Sequence, residues 1–191
     1  MIEEKTKTKR KKIEKSIEIP QGISIEINGN EIIARKNGEE IKRKLNYNIN
    51  NIKKEDNKII ISGTETKKDK RVINSLIAHI KNMISGLKEK FVYRLEICSV
   101  HFPMSVSIQG DYLVIKNFLG ERKERKAKIL PQVNVKIEKN IITVESSDKE
   151  KAGQTAANIE RATRIRKRDR RIFQDGIWLV QKSKGAKRKN E

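Results

Sequence analysis

The sequence contains one pattern twice, and this repeat limits the possible folds more than any other feature. The stretch "IPQGISIEI" (19–27) matches "FPMSVSIQG" (102–110) in its proline and in its alternation. Further along each copy, "EDNKIIISG" (55–63) matches "IEKNIITVES" (137–146). A unit this long that occurs twice is typical of a tandem duplication and not of a solenoid.

Within each copy, short alternating runs are followed by one segment with helical spacing. The runs "GISIEING" and "SVSIQGDYLVIKNF" alternate apolar and polar residues, and Asn-Gly and Gly-Asp interrupt them as hairpin turns do. In 70–86 the apolar residues recur at the spacing of an amphipathic helix, and Gly86 is predicted to end it. In 150–168 the small residues predict a helix that lies close against its sheet.

These signals predict an α+β fold of two tandem duplicated domains, each a small, mainly antiparallel sheet with one helix packed on a face. The predicted domains are 16–94 and 95–180, and basic tails occupy 1–15 and 181–191. Each tail carries a net charge of +4 and each domain one of +6. Because neither tail has an apolar pattern, both are predicted to become ordered only against a polyanion.

The charge of the chain predicts the kind of partner. A net charge of +20 opposes compaction through self-repulsion, so it favours a polyanionic partner, with nucleic acid as the leading candidate, over a surface that is merely solubilising. The segment 161–171 holds seven cations against Asp169 alone, which favours bidentate phosphate contacts. A second cluster, 122–128, is predicted to lie in a hairpin loop, and Phe118 and Leu119 before it are predicted to fix that loop to the sheet. The cations predicted to bind phosphate are Arg122, Lys123, Arg125, Lys126, Lys128, Arg161, Arg164, Arg166, Lys167, Arg168, Arg170, Arg171, Lys182, Lys184, Lys187, Arg188 and Lys189.

The sequence lacks the residue constellations on which enzymes and metal centres depend. It has no glycine-rich phosphate loop, no Cys-x-x-Cys pair and no His-x-x-x-His pair, so no catalytic site, cofactor or metal is expected. His79 is predicted to pack at the edge of an apolar stripe, and Cys98, near His101, is predicted to be a small buried thiol. The few aromatic residues lie in apolar contexts, which favours recognition of the shape and phosphates of double-helical RNA over base stacking.

Targeting signals are also missing from the sequence. No uninterrupted apolar run approaches the length of a transmembrane helix, and the segment 1–15 lacks the apolar region of a secretory signal. Cys98 is the only cysteine, which excludes an internal disulfide and fits a reducing compartment.

Four motifs of this sequence resemble motifs of one protein family, and they occur along the chain in the same order as in that family. "HFPMSVSIQ" (101–109) and "NFLGE" (117–121) resemble the opening of the second domain in the large-subunit ribosomal protein family called L six in bacteria and L nine in eukaryotes, in its archaeal and eukaryotic branch. "NMISG" (82–86) is similar to the end of the family's first-domain helix, and "RIFQDGIWLVQK" (171–182) resembles its closing segment. The resemblance spans roughly residues 16 to 182.

This resemblance implies a structural constituent of the large ribosomal subunit, not an enzyme, that binds rRNA near the sarcin–ricin loop and the stalk base and supports the docking of translation GTPases. It implies neighbouring large-subunit proteins as partners, no homo-oligomer, and a cytoplasmic location in the ribosome, nucleolar during assembly in a eukaryote. Carried over by position, the "NFLGE" loop (Asn117, Phe118, Gly120, Glu121), the stretch 161–171 and the C-terminal tail belong to the RNA-facing second domain, with Asn117 as a residue that contacts rRNA. The family's Pro-Arg-Gly turn is reduced to Gly38 in "RKNGE" (35–39), so contacts of that turn are not carried over.

Three other interpretations stay open at this point. A free-standing RNA-binding factor for ribosome assembly would use the same duplicated fold, and stable co-sedimentation with mature subunits would separate the two. An RNA-processing enzyme with a diffuse acidic or histidine site is disfavoured by the missing constellation. A basic membrane-surface protein is disfavoured because no basic amphipathic helix has a broad apolar face.

Overall fold

The computed structural model describes most of the chain and divides it into two compact units. The units are Met1–Leu87 and Lys88–Glu191. The residues that the structure describes are 12–29, 31–44, 52–55, 57–64, 66–100, 102–166, 168–169 and 171–182.

The first unit contains two antiparallel sheets and one helix. Its elements are β1 (Lys12–Glu18), β2 (Ser24–Asn28), β3 (Glu31–Lys36), β4 (Glu39–Lys44), β5 (Ile52–Glu55), β6 (Lys58–Thr64) and α1 (Lys67–Lys88). One sheet has the order β2-β3-β4 and the other the order β1-β6-β5. Every pairing in both sheets is antiparallel, as the hairpin signals predict.

The core of the first unit lies between one face of α1 and isoleucine side chains of the sheets. The helical spacing of Ile73, Leu76 and Ile80 places all three on the buried face. The prediction that Gly86 ends this helix is wrong. Gly86 is buried inside α1, and the helix continues to Lys88 because the next residue, Leu87, also packs in the core.

The second unit repeats this order of elements and adds one strand. Its elements are β7 (Phe91–Cys98), β8 (Ser105–Gln109), β9 (Tyr112–Lys116), β10 (Arg125–Lys128), β11 (Asn134–Glu138), β12 (Ile141–Ser146), α2 (Lys149–Ala162) and β13 (Gly176–Gln181). Its sheets have the orders β10-β9-β8 and β11-β12-β7-β13. The three strands β7, β12 and β11 therefore correspond to β1, β6 and β5, and β13 adds a fourth strand beside β7. The predicted α+β duplication is confirmed, although each copy has two sheets where one was predicted.

The core of the second unit combines large sheet residues with a helix of small ones. Ala152, Ala156 and Ile159 of α2 are buried against strand residues such as Leu95 and Ile142. A methyl group added at Gly153 would lie 3.4 Å from the Tyr93 hydroxyl oxygen. The helix therefore lies close to its sheet, as its small residues predict.

Three boundaries differ from the sequence prediction. The units divide between Leu87 and Lys88, before β7 begins at Phe91, so β7 is one uninterrupted strand of the second unit. Residues 12–15, predicted as part of a tail, lie in β1 because they pair with Ile61 to Thr64 of β6. The second helix ends at Ala162 instead of continuing to residue 168.

Within the described residues, neither helix is long and apolar enough to cross a membrane.

Candidate nucleic-acid interface

The "NFLGE" segment forms a tight turn that is fixed to the core by one aromatic side chain. Phe118 is fully buried and Leu119 packs against the same core, as predicted. Asn117, Leu119 and Gly120 have φ angles of 58°, 50° and 76°, which is left-handed backbone that asparagine and glycine adopt most easily. The Asn117 side-chain amide donates a hydrogen bond to the Pro103 carbonyl at 2.9 Å. Asn117, predicted to face RNA, therefore holds the turn against the chain before β8.

Arg125 begins β10 and contacts protein groups on every side of its guanidinium. Its Nε and Nη2 donate to the two carboxylate oxygens of Glu121 at 2.8 Å and 2.6 Å. Its Nη1 donates to the carbonyls of Ala162 and Arg164 at 2.9 Å and 3.2 Å. Its Cζ lies 4.3 Å from the centroid of the Phe118 ring. We call these contacts the Arg125 clip, since they join the turn after β9 to the end of α2.

The Arg125 clip also influences the protonation of Glu121. The hydrogen bonds from Arg125 hold the pKa of Glu121 below its ordinary value, against an opposing effect of burial. The positive charges of Arg125 and Arg168 act in the same direction as the hydrogen bonds. Glu121 is therefore fully ionised at neutral pH and pairs with Arg125 as a carboxylate.

The segment after α2 alternates between the core and the surface. Thr163 and Ile165 are buried, and Arg164 and Arg166 are exposed. The Thr163 hydroxyl donates to the Glu160 carbonyl and accepts a hydrogen bond from the Ile177 amide of β13 at 2.9 Å. This anchoring explains why the predicted helix ends early, since an extended segment buries every second side chain.

The two predicted clusters of cations meet in a surface groove of about 420 Å³. One wall comes from β10 and the other from the end of α2 and the segment after it. The groove is lined by Arg125, Lys126, Arg161, Ala162, Arg164 and Arg166. Because Arg125 is engaged in the clip, we define the four other cations, Lys126, Arg161, Arg164 and Arg166, as the groove cations.

The remaining cations near the groove differ in how they are held. The prediction that 122–128 is a hairpin loop is wrong for Arg125 to Lys128, which form β10 and turn Lys126 and Lys128 to the exposed face. Arg122 and Lys123 are exposed in the turn before β10. Lys116, in contrast, is paired with Glu124 at 2.9 Å.

Beyond the groove, Arg168 and Arg171 contact residues that are close to them in the sequence. The Arg168 guanidinium lies 4.8 Å from the centroid of the Phe173 ring. Arg171 donates to the Asp169 carboxylate at 3.0 Å and 3.2 Å, and its hydrogen bonds hold the pKa of Asp169 below its ordinary value. Lys182 is exposed directly after the last residue of β13. The predicted cations Lys167, Arg170, Lys184, Lys187, Arg188 and Lys189 lie outside the described residues.

Outside this surface, the described residues include the cysteine and one of the two histidines considered above as reactive groups. No group of three or more His, Cys, Asp or Glu side chains among them could hold a metal ion. Partial burial raises the pKa of the Cys98 thiol, and the charges of Glu96 and Asp175 raise it further. Cys98 is half-buried instead of buried as predicted, and His101 lies outside the described residues. His79 is half-buried, with its Nε2 3.2 Å from the Ser75 hydroxyl oxygen, as expected for a boundary residue.

A larger groove of about 490 Å³ lies in the first unit, beside the turn at Asn37 and Gly38. Its arginine, Arg35, is held between Glu26 and Glu40 at 3.2 Å and 3.1 Å. This groove therefore has greater volume than the one in the second unit, but two acids, Glu39 and Glu40, line it together with its two cations, Arg35 and Lys36.

Sequence reasoning missed the residues that shape the basic groove. The Glu121 carboxylate repels phosphate, and the Thr163 hydroxyl is occupied by the Glu160 carbonyl and the Ile177 amide. Glu121 nevertheless holds Arg125, and Thr163 anchors the segment of Arg164. The alternation of Thr163, Arg164, Ile165 and Arg166 is a signal of extended structure that could have indicated where the helix ends. The bond from Arg125 to the Ala162 carbonyl had no signal in the sequence.

The fold and its groove define a class: a basic, duplicated α+β protein with a cationic surface on its second unit. A family model described as "Ribosomal protein L6" matches residues 102–176. The chain is 42% identical over 172 residues to "Large ribosomal subunit protein uL6" of Methanococcus vannielii, a match that covers 90% of this chain and 94% of the relative. It is also 42% identical over 171 residues to the protein of the same name from Methanobrevibacter smithii, with 89% and 96% covered. The chain belongs to the L6 family of large-subunit ribosomal proteins.

Proposed function

We propose that this protein is a structural constituent of the large ribosomal subunit and that its second unit binds rRNA through the basic groove. The observation that carries the proposal is the meeting of two separate cation clusters in one groove. Phosphate oxygens along an RNA backbone are the ligands that such a row of cations fits. No catalytic step is part of this function.

The geometry supports backbone recognition in preference to base recognition. Arg164 and Arg166 project from an extended segment whose buried residues fix their spacing. Lys126 lies across the groove from them on β10. Phosphate contacts of this kind set the position and orientation of a protein on RNA without reading its sequence.

The finer parts of the proposal concern where on the subunit the protein binds. We infer that the rRNA bound is the region of the sarcin–ricin loop and the stalk base, where translation GTPases dock, and that the stalk-base proteins are neighbours. Family membership and the basic groove support this inference. The corresponding location is the cytoplasmic ribosome, and in a eukaryote the nucleolus during assembly.

Sedimentation of a cell lysate at low and at high monovalent salt tests the proposal. A structural constituent remains with large subunits and polysomes at both salt concentrations, because many phosphate contacts act together. Release to the top of the gradient at high salt would contradict this role and would favour a peripheral assembly factor. Probing of rRNA protection in subunits with and without the protein then tests the inferred site.

A further inference from the structure

We propose that Arg125 is a positioning residue, which does not bind RNA itself but, held by Glu121, sets the shape of the groove that does. This inference rests on the proposed function, because it concerns how the same groove is built. It departs from the sequence prediction, which counts Arg125 among the phosphate-binding cations.

The first step of the argument is that the guanidinium has little capacity left for a phosphate. An arginine has five N–H donors, and those of Arg125 reach four protein oxygens on three residues. One face of the guanidinium also lies over the Phe118 ring. The side chain is 25% exposed, against 41% for its partner Glu121.

The second step concerns the carbonyls that Arg125 contacts. Ala162 is the last residue of α2, so its carbonyl lacks an acceptor role inside the helix, and a cation near a helix C-terminus is favourable. The Arg164 carbonyl belongs to the residue whose side chain lines the groove. By holding both carbonyls, Arg125 fixes the backbone from which Arg164 and Arg166 project.

The third step concerns Glu121. A carboxylate on a basic RNA-binding surface opposes RNA binding by charge alone. Here the same carboxylate holds Arg125 through two parallel hydrogen bonds, the geometry in which arginine and carboxylate pair most strongly. Glu121 is therefore expected to favour RNA binding despite its charge.

The test asks whether the charge of residue 125 or the geometry of its hydrogen bonds determines RNA affinity. It uses the full chain and, as the probe, an RNA hairpin with a long double-helical stem. In Arg125→Lys the charge stays but the planar fork is lost. We expect RNA affinity near 0.1 M salt to fall by about five- to eightfold or more, the worth of one or more phosphate contacts, and the salt slope to fall with it. The matched control, Arg35→Lys, loses the same planar fork in the first unit, where Arg35 is held between Glu26 and Glu40 outside the groove, and is expected to bind as the wild type does. Affinity within about twofold of the wild type for Arg125→Lys, with an unchanged slope, would overturn the inference.

A second pair of variants changes RNA affinity in opposite directions, depending on whether Arg125 binds phosphate or only positions the groove. Glu121→Gln removes a negative charge, so a phosphate-binding Arg125 would be released and RNA binding would tighten. As a positioning residue, Arg125 would be loosened and binding would weaken by about two- to fivefold. Glu124→Gln is the control, because it removes an acid of the same turn that pairs with Lys116 and not with Arg125. Tighter binding by Glu121→Gln would overturn the inference.

Two further measurements keep the outcomes distinct. The fluorescence of Trp178, the only tryptophan, shows whether each variant is folded at the temperature of the binding assay. Arg164→Gln reports on the groove itself. If Arg164→Gln binds RNA with the affinity and the salt slope of the wild type, the groove is not the RNA-binding site. The proposed function of the groove and the inference about Arg125 would then both be wrong. Weaker binding by Arg164→Gln, combined with wild-type binding by Arg125→Lys, would overturn the inference alone.

Discussion

The two repeats reach close packing between helix and sheet in opposite ways. In the first, α1 has 22 residues with large buried side chains, and the small residue is Gly63 on β6, where an added methyl would lie 2.8 Å from the Cδ1 atom of Ile73. In the second, α2 has 14 residues with small buried side chains, and Ser146 of β12 occupies the position equivalent to Gly63. The large residues of the second core come from strands and from Phe118.

The two repeats also use their cations differently. In the first, cations pair with acids across neighbouring strands, as in the pairs of Arg35 with Glu26 and of Lys44 with Glu31. In the second, a short helix ends at the surface, and the chain after it presents arginines in the groove. The comparison teaches that a shorter helix leaves the segment after it extended, with its arginines at the surface, while a buried turn and an added strand complete the core.

The largest effect is expected from removing the aromatic side chain on which the second core depends. Phe118→Ala leaves a cavity at a fully buried position, so we expect the free energy of unfolding of the second unit to fall by about 3–5 kcal/mol. Denaturant titration followed by Trp178 fluorescence measures it. Phe102→Ala, at a position that is 48% exposed, is the control with little expected loss. Equal losses in the two variants would show that the turn is not part of the core.

The next effect concerns the contrast in charge. Arg164→Gln combined with Arg166→Gln removes two exposed cations of the groove, and we expect RNA affinity near 0.1 M salt to fall by about 25- to 60-fold, roughly 2 kcal/mol. Lys42→Gln combined with Lys44→Gln removes the same charge from the first repeat, where both lysines are paired with acids. Filter binding over a range of salt concentrations measures both. Equal losses would mean that net charge alone governs affinity and that the groove has no special role.

A smaller effect tests the contrast in packing between the two repeats. Replacing a glycine by alanine is expected to change the free energy of unfolding in opposite directions in the two units. Gly63→Ala forces a methyl against Ile73, so we expect it to destabilise the first unit by about 1 kcal/mol. Gly153→Ala places a methyl at ordinary contact distance from Tyr93 within a helix, so we expect it to stabilise the second unit by up to about 1 kcal/mol. Circular dichroism for the first unit and Trp178 fluorescence for the second measure these changes. A change in stability of the same sign in both variants would show that the two repeats do not differ in this aspect of their packing.

The smallest effect is on pH dependence. The folded-state pKa of Glu121 lies below its ordinary value of 4.5, so the stability that this pair contributes is present above that value and is lost as the pH falls through the folded-state pKa. We therefore expect wild type and Glu121→Gln to differ in free energy of unfolding above about pH 5 and to converge at lower pH. Because the pair is partly exposed, the difference should be within about 1 kcal/mol. Glu31→Gln, in the exposed pair of the first repeat, is the control.

The sequence predicted local features of the fold well and long-range ones poorly. The hairpins at Gly29 and Gly110 follow from turns of two residues, and the buried face of α1 follows from its spacing, so both could be predicted from neighbouring residues. The place of β13 beside β7 joins segments that are far apart in the chain, and no periodicity encodes it. The end of α2 at Ala162 depends on Thr163 and Ile165 finding buried sites, which is a tertiary effect.

The candidate site shows the same limit for individual side chains. Composition identified the segments that carry the cations, because seven positive charges in 161–171 stand out in any reading. It could not distinguish Arg125, bound to four protein oxygens, from Lys126 beside it, which is exposed on the other face of the strand. Charge counting treats the two as equal, and only the contacts of each side chain separate them.

The hydrogen bond between the Ile177 amide and the Thr163 hydroxyl has a consequence for synthesis of the chain. The first unit has all its described strands and its helix once residue 88 has been made, so it can fold while the rest is still being translated. The segment that carries Arg164 lacks its anchor until β13 emerges from the exit tunnel. The basic groove is thus the last of the described parts of the chain to acquire its final geometry, and a chain that stalls before residue 176 carries these positive charges on a segment that is not yet anchored.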